Sequence, residues 1–286
     1  MSVRLVITDA MWDRIEPLMP ADPVRGRRWA AHRRTIEAIA WKYRTNSPWR
    51  DLPDELGSFQ TAHKRLIRWA VDGTWEMILA AVLAVADADD EIDWTVSVDV
   101  TVVRAHQHAA GALKRGHPHS GEPADHALGR SRGGLSTKVH LAADGRARLL
   151  AFTVTAGQAG DAPAFESVMS RIRVPRTGSG RPRTRPMAVL ADRAYSSRAI
   201  RSHLRRRGIR AVIPQPSDQV GHRLRRGRLG GRPPGFDSEA YKQRNTVERC
   251  INRLKQWRGL ATRTDKLAIT YQAALHLAGI LIWARR

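Results

Sequence analysis

Hydrophobic positions along the chain change period more than once, and each change marks a change of element. Over the first 86 residues they recur at helical spacing, as Trp12, Ile15, Leu18 and Met19, then Ile36, Ile39, Ala40 and Tyr43, then Leu66, Ile67 and Val71. An apolar run over 77–86 closes this part, and the acids Asp87, Asp89, Asp90, Glu91 and Asp93 interrupt it. The period then becomes two. Val96, Val98, Val100 and Val102 share one face, while Thr95, Ser97, Asp99 and Thr101 share the other, which predicts a strand packed on its valine side. The pattern therefore predicts a helical region over 1–86, a charged hinge over 87–93 and an α/β region over 94–286.

Beyond the strand, a polar stretch from Arg104 to about Gly134 predicts a long loop, and residues 136–141 and 149–155 predict a hairpin turning at Asp144-Gly145. Asp161-Ala-Pro163 opens a helix. The short apolar run 187–191 ends in Asp192, and the caps Ser196 and Ser197 precede the helical pair Ile200 and Leu204. A strand over 209–213, a basic Gly- and Pro-rich loop over 215–236, a helix from 237 to about 257 and a core helix over 269–283 complete the chain. In the first part, a short helix near 53–56, then Gly57, then a helix opening at Ser58 has the outline of a helix-turn-helix. Its second helix carries His63, Lys64, Arg65 and Arg68, which face either a nucleic-acid groove or the wet side of a small bundle.

The helix over 237–257 holds the most informative chemistry. Tyr241, Arg244, Glu248 and Lys255 are spaced by three, four and seven. At about 100° per residue their side chains fall within an arc of roughly 60°, apart from the apolar stripe Val247, Cys250, Ile251 and Leu254. Taken alone, such a ridge is also what a solvated face with i,i+4 ion pairs looks like. Two further carboxylates change the balance. Asp99 sits among small polar residues on a strand, and Asp192 ends a strand just before a helix, where α/β sheets place ligands. An acid that can hold a metal, flanked by cations that can hold phosphates, suits phosphodiester chemistry.

Charge points the same way. Lys and Arg number 49 against 27 Asp and Glu, a net of +22 that implies a polyanionic partner. From Arg171 to Arg232 there are eighteen Arg, no Lys and two acids, Asp192 and Asp218, for a net of +16 around the second candidate acid. Within the basic loop, Arg223, Arg225, Arg226 and Arg228 are candidate DNA contacts, as are Lys64, Arg65 and Arg68. The arginines form no amphipathic helix with a broad apolar face, so nucleic acid suits them better than a membrane surface. Cys250 is the single cysteine, which excludes a disulfide framework. No apolar run is long enough to span a bilayer and the start lacks a signal-peptide layout, so a cytoplasmic, nucleoid-associated protein with no membrane partner is expected. His106, His108, His117, His119 and His126 crowd the loop after Asp99, but without matching cysteines they do not predict zinc.

The order Asp99, Asp192, Glu248, with Tyr241-x2-Arg244-x3-Glu248-x6-Lys255 around the last acid, resembles the DDE transposases of bacterial insertion sequences, and within them the IS-five-type family. The segments from Val98 to His108, from Leu128 to Leu141 and from Leu190 to Tyr195 look like that family's first-aspartate, central-strand and second-aspartate segments. The resemblance implies a ribonuclease H-like α/β catalytic domain behind an all-α, helix-turn-helix-like domain that reads terminal repeats. It also implies catalytic and metal-holding roles for Asp99, Asp192 and Glu248, and phosphate clamping by Tyr241, Arg244 and Lys255. Three converging carboxylates would repel one another unless cations neutralised them, and hard oxygen ligands favour two Mg²⁺ or Mn²⁺ ions. The expected partner is double-stranded DNA, both element ends and target, bound by a homo-oligomer. A plain metal-dependent nuclease would use the same acids without joining ends, and a non-catalytic DNA-binding protein would not need them.

Overall fold

The computed structural model describes residues 5–22, 28–112 and 121–285. Four helices come first, α1 (Asp9–Ile15), α2 (His32–Thr45), α3 (Phe59–Val71) and α4 (Thr74–Ala88). Then come β1 (Thr95–Ala105), α5 (Gln107–Ala110), β2 (Gly129–Ser131), β3 (Gly134–Ala143), β4 (Leu149–Ala156), α6 (Asp161–Arg171), β5 (Ala188–Leu190), α7 (Arg198–Arg206) and β6 (Arg210–Val212). The chain ends with α8 (Ser217–Arg225), α9 (Ser238–Tyr241), α10 (Asn245–Lys255), α11 (Arg258–Ala261), β7 (Thr262–Arg263) and α12 (Ala268–Ala284). This is an α/β, ribonuclease H-like arrangement preceded by a helical region.

The sheet runs β2-β3-β1-β5-β6, with β4 on the outer edge of β3. β1 is antiparallel to β3, and β5 is parallel to β1 and to β6. The other edge of β1 is shared. β5 takes it at Thr95–Ser97 and β7 at Arg104–Ala105, so the stretch between them has no strand partner there among the described residues. Asp99 lies in that gap. The backbone N–H of Val100 turns into it and, lacking a ladder acceptor, donates to the Asp99 Oδ1 at 2.8 Å.

Packing on β1 differs from the one-sided pattern expected. The face carrying Ser97, Asp99, Thr101 and Val103 is covered by α10, whose Val247, Cys250 and Leu254 are buried. On the opposite face α6 is held by Lys138 Nζ–Asp161 Oδ1 at 2.7 Å but does not reach the strand's far end, where Val102 is 45% exposed. The hairpin also turns differently. Its five-residue loop places Ala147, not Gly145, at positive φ, because Asp144 Oδ1 gathers the N–H groups of Arg146 and Arg148. Gly145 is needed for another reason, since a Cβ there would meet Asp93 Oδ2 at 2.0 Å.

The acidic stretch read as a hinge is fastened. Asp87 is buried and accepts hydrogen bonds from Trp94 Nε1 at 2.9 Å, Arg176 Nη1 at 2.9 Å and Arg183 Nη1 at 3.2 Å. One hydrophobic core spans both sides of it. α12 packs on α1, α2, α3 and α4 as well as on β4, where Trp283 Nε1 donates to the Leu149 carbonyl at 2.7 Å. Its N-terminus is capped by Glu122, which accepts from the N–H groups of Ala268 and Ile269 at 2.8 and 3.0 Å.

Two further segments differ from expectation. Residues 237–257 form not one α-helix but α9, a 3₁₀ turn over Lys242–Arg244 and α10, with Asp237 as N-cap. The basic loop contains α8 and a 3₁₀ turn over Gly227–Gly230. Among the described residues no single helix is long and apolar enough to cross a membrane; α3 and α4 together are, but they meet at 73° and bury Leu66, Trp69, Trp75 and Ile78 in the core.

Candidate active site

Strand register brings the two aspartates together. Ser97 lies opposite Leu190 in parallel β1 and β5, so two residues further along each chain stand Asp99 and Asp192, where β5 has ended. Asp192 caps the 3₁₀ turn Arg193–Tyr195, its Oδ1 accepting from the Ala194 N–H at 2.9 Å. The third acid arrives on α10. Thr246 Oγ1 donates to Ser97 Oγ at 2.9 Å in the buried contact between helix and strand, two residues from Asp99. That bolt leaves Glu248 on the open side, 52% exposed, while the Asp99 side chain is 15% exposed. The sequence placed Ser97 on the strand's polar face without a role and left Thr246 unremarked; a small hydroxyl residue two positions before Asp99 and before Glu248 was the available signal.

Arg244 joins two of the acids. Its Nη2 lies 2.7 Å from Asp99 Oδ2 and its Nη1 2.8 Å from Glu248 Oε1. Burial raises the Asp99 pKa; the Val100 N–H and Arg244 act against this, and the negative charges of Asp192 and Glu248 add to it. Both other acids are therefore close enough for Asp99 to feel. Burial works against the Arg244 charge as well, but Asp99, Tyr241 and Glu248 outweigh it and raise the guanidinium's pKa.

Among the described residues no three His, Cys, Asp or Glu side chains are gathered as a metal would need. Arg244 instead supplies the positive charge that Asp99 and Glu248 share. The donor set still suits a hard divalent cation, being all carboxylate oxygen with one member desolvated. Arg244 competes with such an ion for Asp99 and Glu248, whereas Asp192 takes its cap bond on Oδ1 alone.

The other predicted residues separate by environment. The 3₁₀ turn's three residues per turn put Tyr241 in line with Arg244. Tyr241 packs on the apolar patch Ala188, Leu190 and Val212, with the Phe236 ring 5.3 Å away. Lys255 is half-buried at the other end of α10, beside Thr101, Val103 and Leu260. In the helix-turn-helix outline the first helix is only a 3₁₀ turn, Asp54–Leu56, followed by Gly57 at φ +85° and then α3. Lys64 and Arg68 are exposed. Arg65 is not: its guanidinium lies 4.1 Å from the Trp29 ring centroid and 3.2 Å from His32 Nδ1. Packing holds it, so it differs from its neighbours as a DNA contact. Arg225, Arg226 and Arg228 are exposed on α8 and its following turn, and Arg223 is half-buried. Of the histidines, His106 and His108 stack with centroids 4.7 Å apart, and His126 pairs with Glu122 at 2.5 Å; His117 and His119 lie outside the described residues.

Residues 91–283 match the family described as "Transposase DDE domain", and residues 7–79 match that described as "Putative transposase of IS4/5 family (DUF4096)". A "Putative transposase for insertion sequence element IS6501" of Brucella ovis is 28% identical over 151 residues, 53% of this chain and 100% of that protein. An uncharacterized protein y4sN of Sinorhizobium fredii is 36% identical over 110 residues, 38% of this chain and 83% of its own length. Among solved structures, the Mos1 strand transfer complex aligns over 84% of this chain and 80% of its own at 13% identity, with a TM-score of 0.27.

Proposed function

From the premise that the chain belongs to the transposase DDE domain family, as a transposase of the insertion-sequence type, we propose that it binds the terminal inverted repeats of such an element, cleaves the DNA there and joins the freed 3′-hydroxyl to target DNA. The observation that carries this reading is Arg244 spanning Asp99 and Glu248 where β1 and the turn after β5 bring up Asp192. Asp99, Asp192 and Glu248 would hold Mg²⁺ or Mn²⁺. Such ions, when bound, polarise the phosphate and favour an attacking oxygen near neutral pH. Arg244, released from the acids, faces the incoming phosphate, with Lys255 and Tyr241 further along the same face. Binding over a longer path falls to the arginines between 171 and 232 and to Lys64 and Arg68, which contact phosphates as a homo-oligomer pairs the ends.

The test is incubation of the full chain with DNA carrying the element's own ends and Mg²⁺, scoring cleaved and joined strands. Asp99→Asn, Asp192→Asn and Glu248→Gln should each abolish both products while leaving DNA affinity largely intact. Cleavage without joining would reduce the protein to a nuclease, and near-normal cleavage by any of the three variants would move the chemistry elsewhere.

A further inference from the structure

Three residues beyond Asp192, on the same 3₁₀ turn, Tyr195 is 1% exposed and its hydroxyl has no hydrogen-bond partner among the described residues. The side chain cannot relieve this by swinging out. Its backbone N–H is bonded to the Asp192 carbonyl at 3.1 Å, and its ring is set against Phe165 of α6 with centroids 5.7 Å apart. An idle buried hydroxyl is a cost to the fold that phenylalanine at the same place would not incur.

Burial first, then the charges of Asp99, Asp161 and Asp192, keep the phenol protonated, so it can serve these carboxylates only as a donor. Two of the three already have strong partners. Asp161 holds Lys138 Nζ, and Asp99 holds the Val100 N–H and Arg244. Among the described residues the Asp192 carboxylate has a single bond, from Ala194 N–H to Oδ1. We infer that Tyr195 is a positioning residue for Asp192, its hydroxyl donating to that carboxylate once the side chain leaves its backbone cap to serve the site. The orphan donor and the capped acid are then two halves of one rearrangement, which fixes Asp192 in its working orientation and leaves its other oxygen for a divalent ion.

The inference rests on the assignment of Asp192 to the metal-holding site, and the experiment separates the two. Full-length Tyr195→Phe is compared with wild type and Asp192→Asn in three measurements: thermal melting in chelator, Mn²⁺ titration by electron paramagnetic resonance without DNA, and single-turnover cleavage against Mn²⁺ concentration. Tyr195→Phe should melt at the wild-type temperature or above and bind DNA in chelator as wild type does. Its Mn²⁺ affinity should fall about tenfold, the usual scale for losing a donor that orients a ligand. Cleavage should fall in parallel at low Mn²⁺ and recover at saturation. Wild-type Mn²⁺ affinity and metal dependence in Tyr195→Phe, with Asp192→Asn inactive, would overturn the inference alone. A lowered melting temperature with uniform loss of DNA binding would also overturn it, by showing a purely structural role. Normal cleavage by Asp192→Asn would remove the site assignment and the inference with it.

Discussion

At the scale of single residues, Arg244 is the group whose environment says most. It is bonded to one carboxylate inside the site and one at its rim, and so competes with a metal for both. Charge-assisted bonds of this kind are worth about 1.5–3 kcal/mol, so their loss should matter by about a factor of ten or more. Arg244→Gln should therefore bind Mn²⁺ about tenfold more tightly than wild type without DNA, yet cleave about a hundredfold more slowly once DNA is bound, because the phosphate loses its positioning group. Mn²⁺ titration and single-turnover cleavage on the same preparation check both. Away from the site, His276 on α12 is buried against Phe152, and burial, with Arg171 nearby, lowers its pKa to about 3. The unfolded chain takes up this proton near 6.5, so it binds more protons than the folded chain between those values, and stability falls as pH drops through that window. His140, lowered by burial to about 4, adds to the same slope. His276→Phe should flatten the acid side of the stability–pH curve, as read from urea midpoints between pH 4 and 7.

At the scale of elements, two joints decide the geometry. Thr246–Ser97 sets where α10 meets β1, and so where Glu248 stands. Thr246→Val keeps the shape but leaves the Ser97 hydroxyl buried without its partner, at about 1–2 kcal/mol. Cleavage by that variant should drop by more than its stability loss can account for, since a shift of about 1 Å in a reacting group costs roughly a hundredfold. The second joint is Asp87, whose carboxylate ties α4 to Trp94, Arg176 and Arg183. The two arginines are partly exposed, which discounts the ion pairs. Asp87→Asn should then cost about 2 kcal/mol, seen as a lower urea midpoint with an unchanged slope.

At the scale of the whole molecule, the core is continuous from Ile7 to Ala284. The helical first part and the sheet are joined through α12, whose residues Leu275, Leu277, Ile280 and Leu281 are almost fully buried. An apolar helix of this kind must be covered on all sides. Residues 94–286 expressed alone would leave α12 stripped of α1 to α4, and should show no cooperative thermal transition and bind a hydrophobic dye. A soluble fragment with a sharp melt would mean that the sheet region forms its own core. The arginines between 171 and 232, with a net of +16, should also make the full chain's DNA affinity fall steeply and linearly in log[salt].

Much of this was legible in the chain itself. Helical and alternating periods located α2, α3 and β1, because each period reflects which side of a local element meets the core, while a turn dipeptide located β3 and β4 and an apolar stretch located α12. The same local logic put Asp99 on a strand, Asp192 at a strand's end and Glu248 on a helix ridge with Tyr241, Arg244 and Lys255. What the tertiary structure alone decided depends on residues far apart in sequence. Arg244 meets Asp99 across 145 positions, and Thr246 meets Ser97 across 149. Arg65 carries the same charge as Arg68 and both lie over the Trp29 ring, but contacts with His32 and Trp69 bury Arg65 while Arg68 stays exposed. Asp87 reads as part of an acidic hinge until Trp94, Arg176 and Arg183 close on it, and Tyr195 reads only as the end of the second-aspartate segment until its buried hydroxyl is found without a partner among the described residues. A period in the sequence reports which side of an element is buried; which groups then face each other across the core is set by packing that no local spacing encodes.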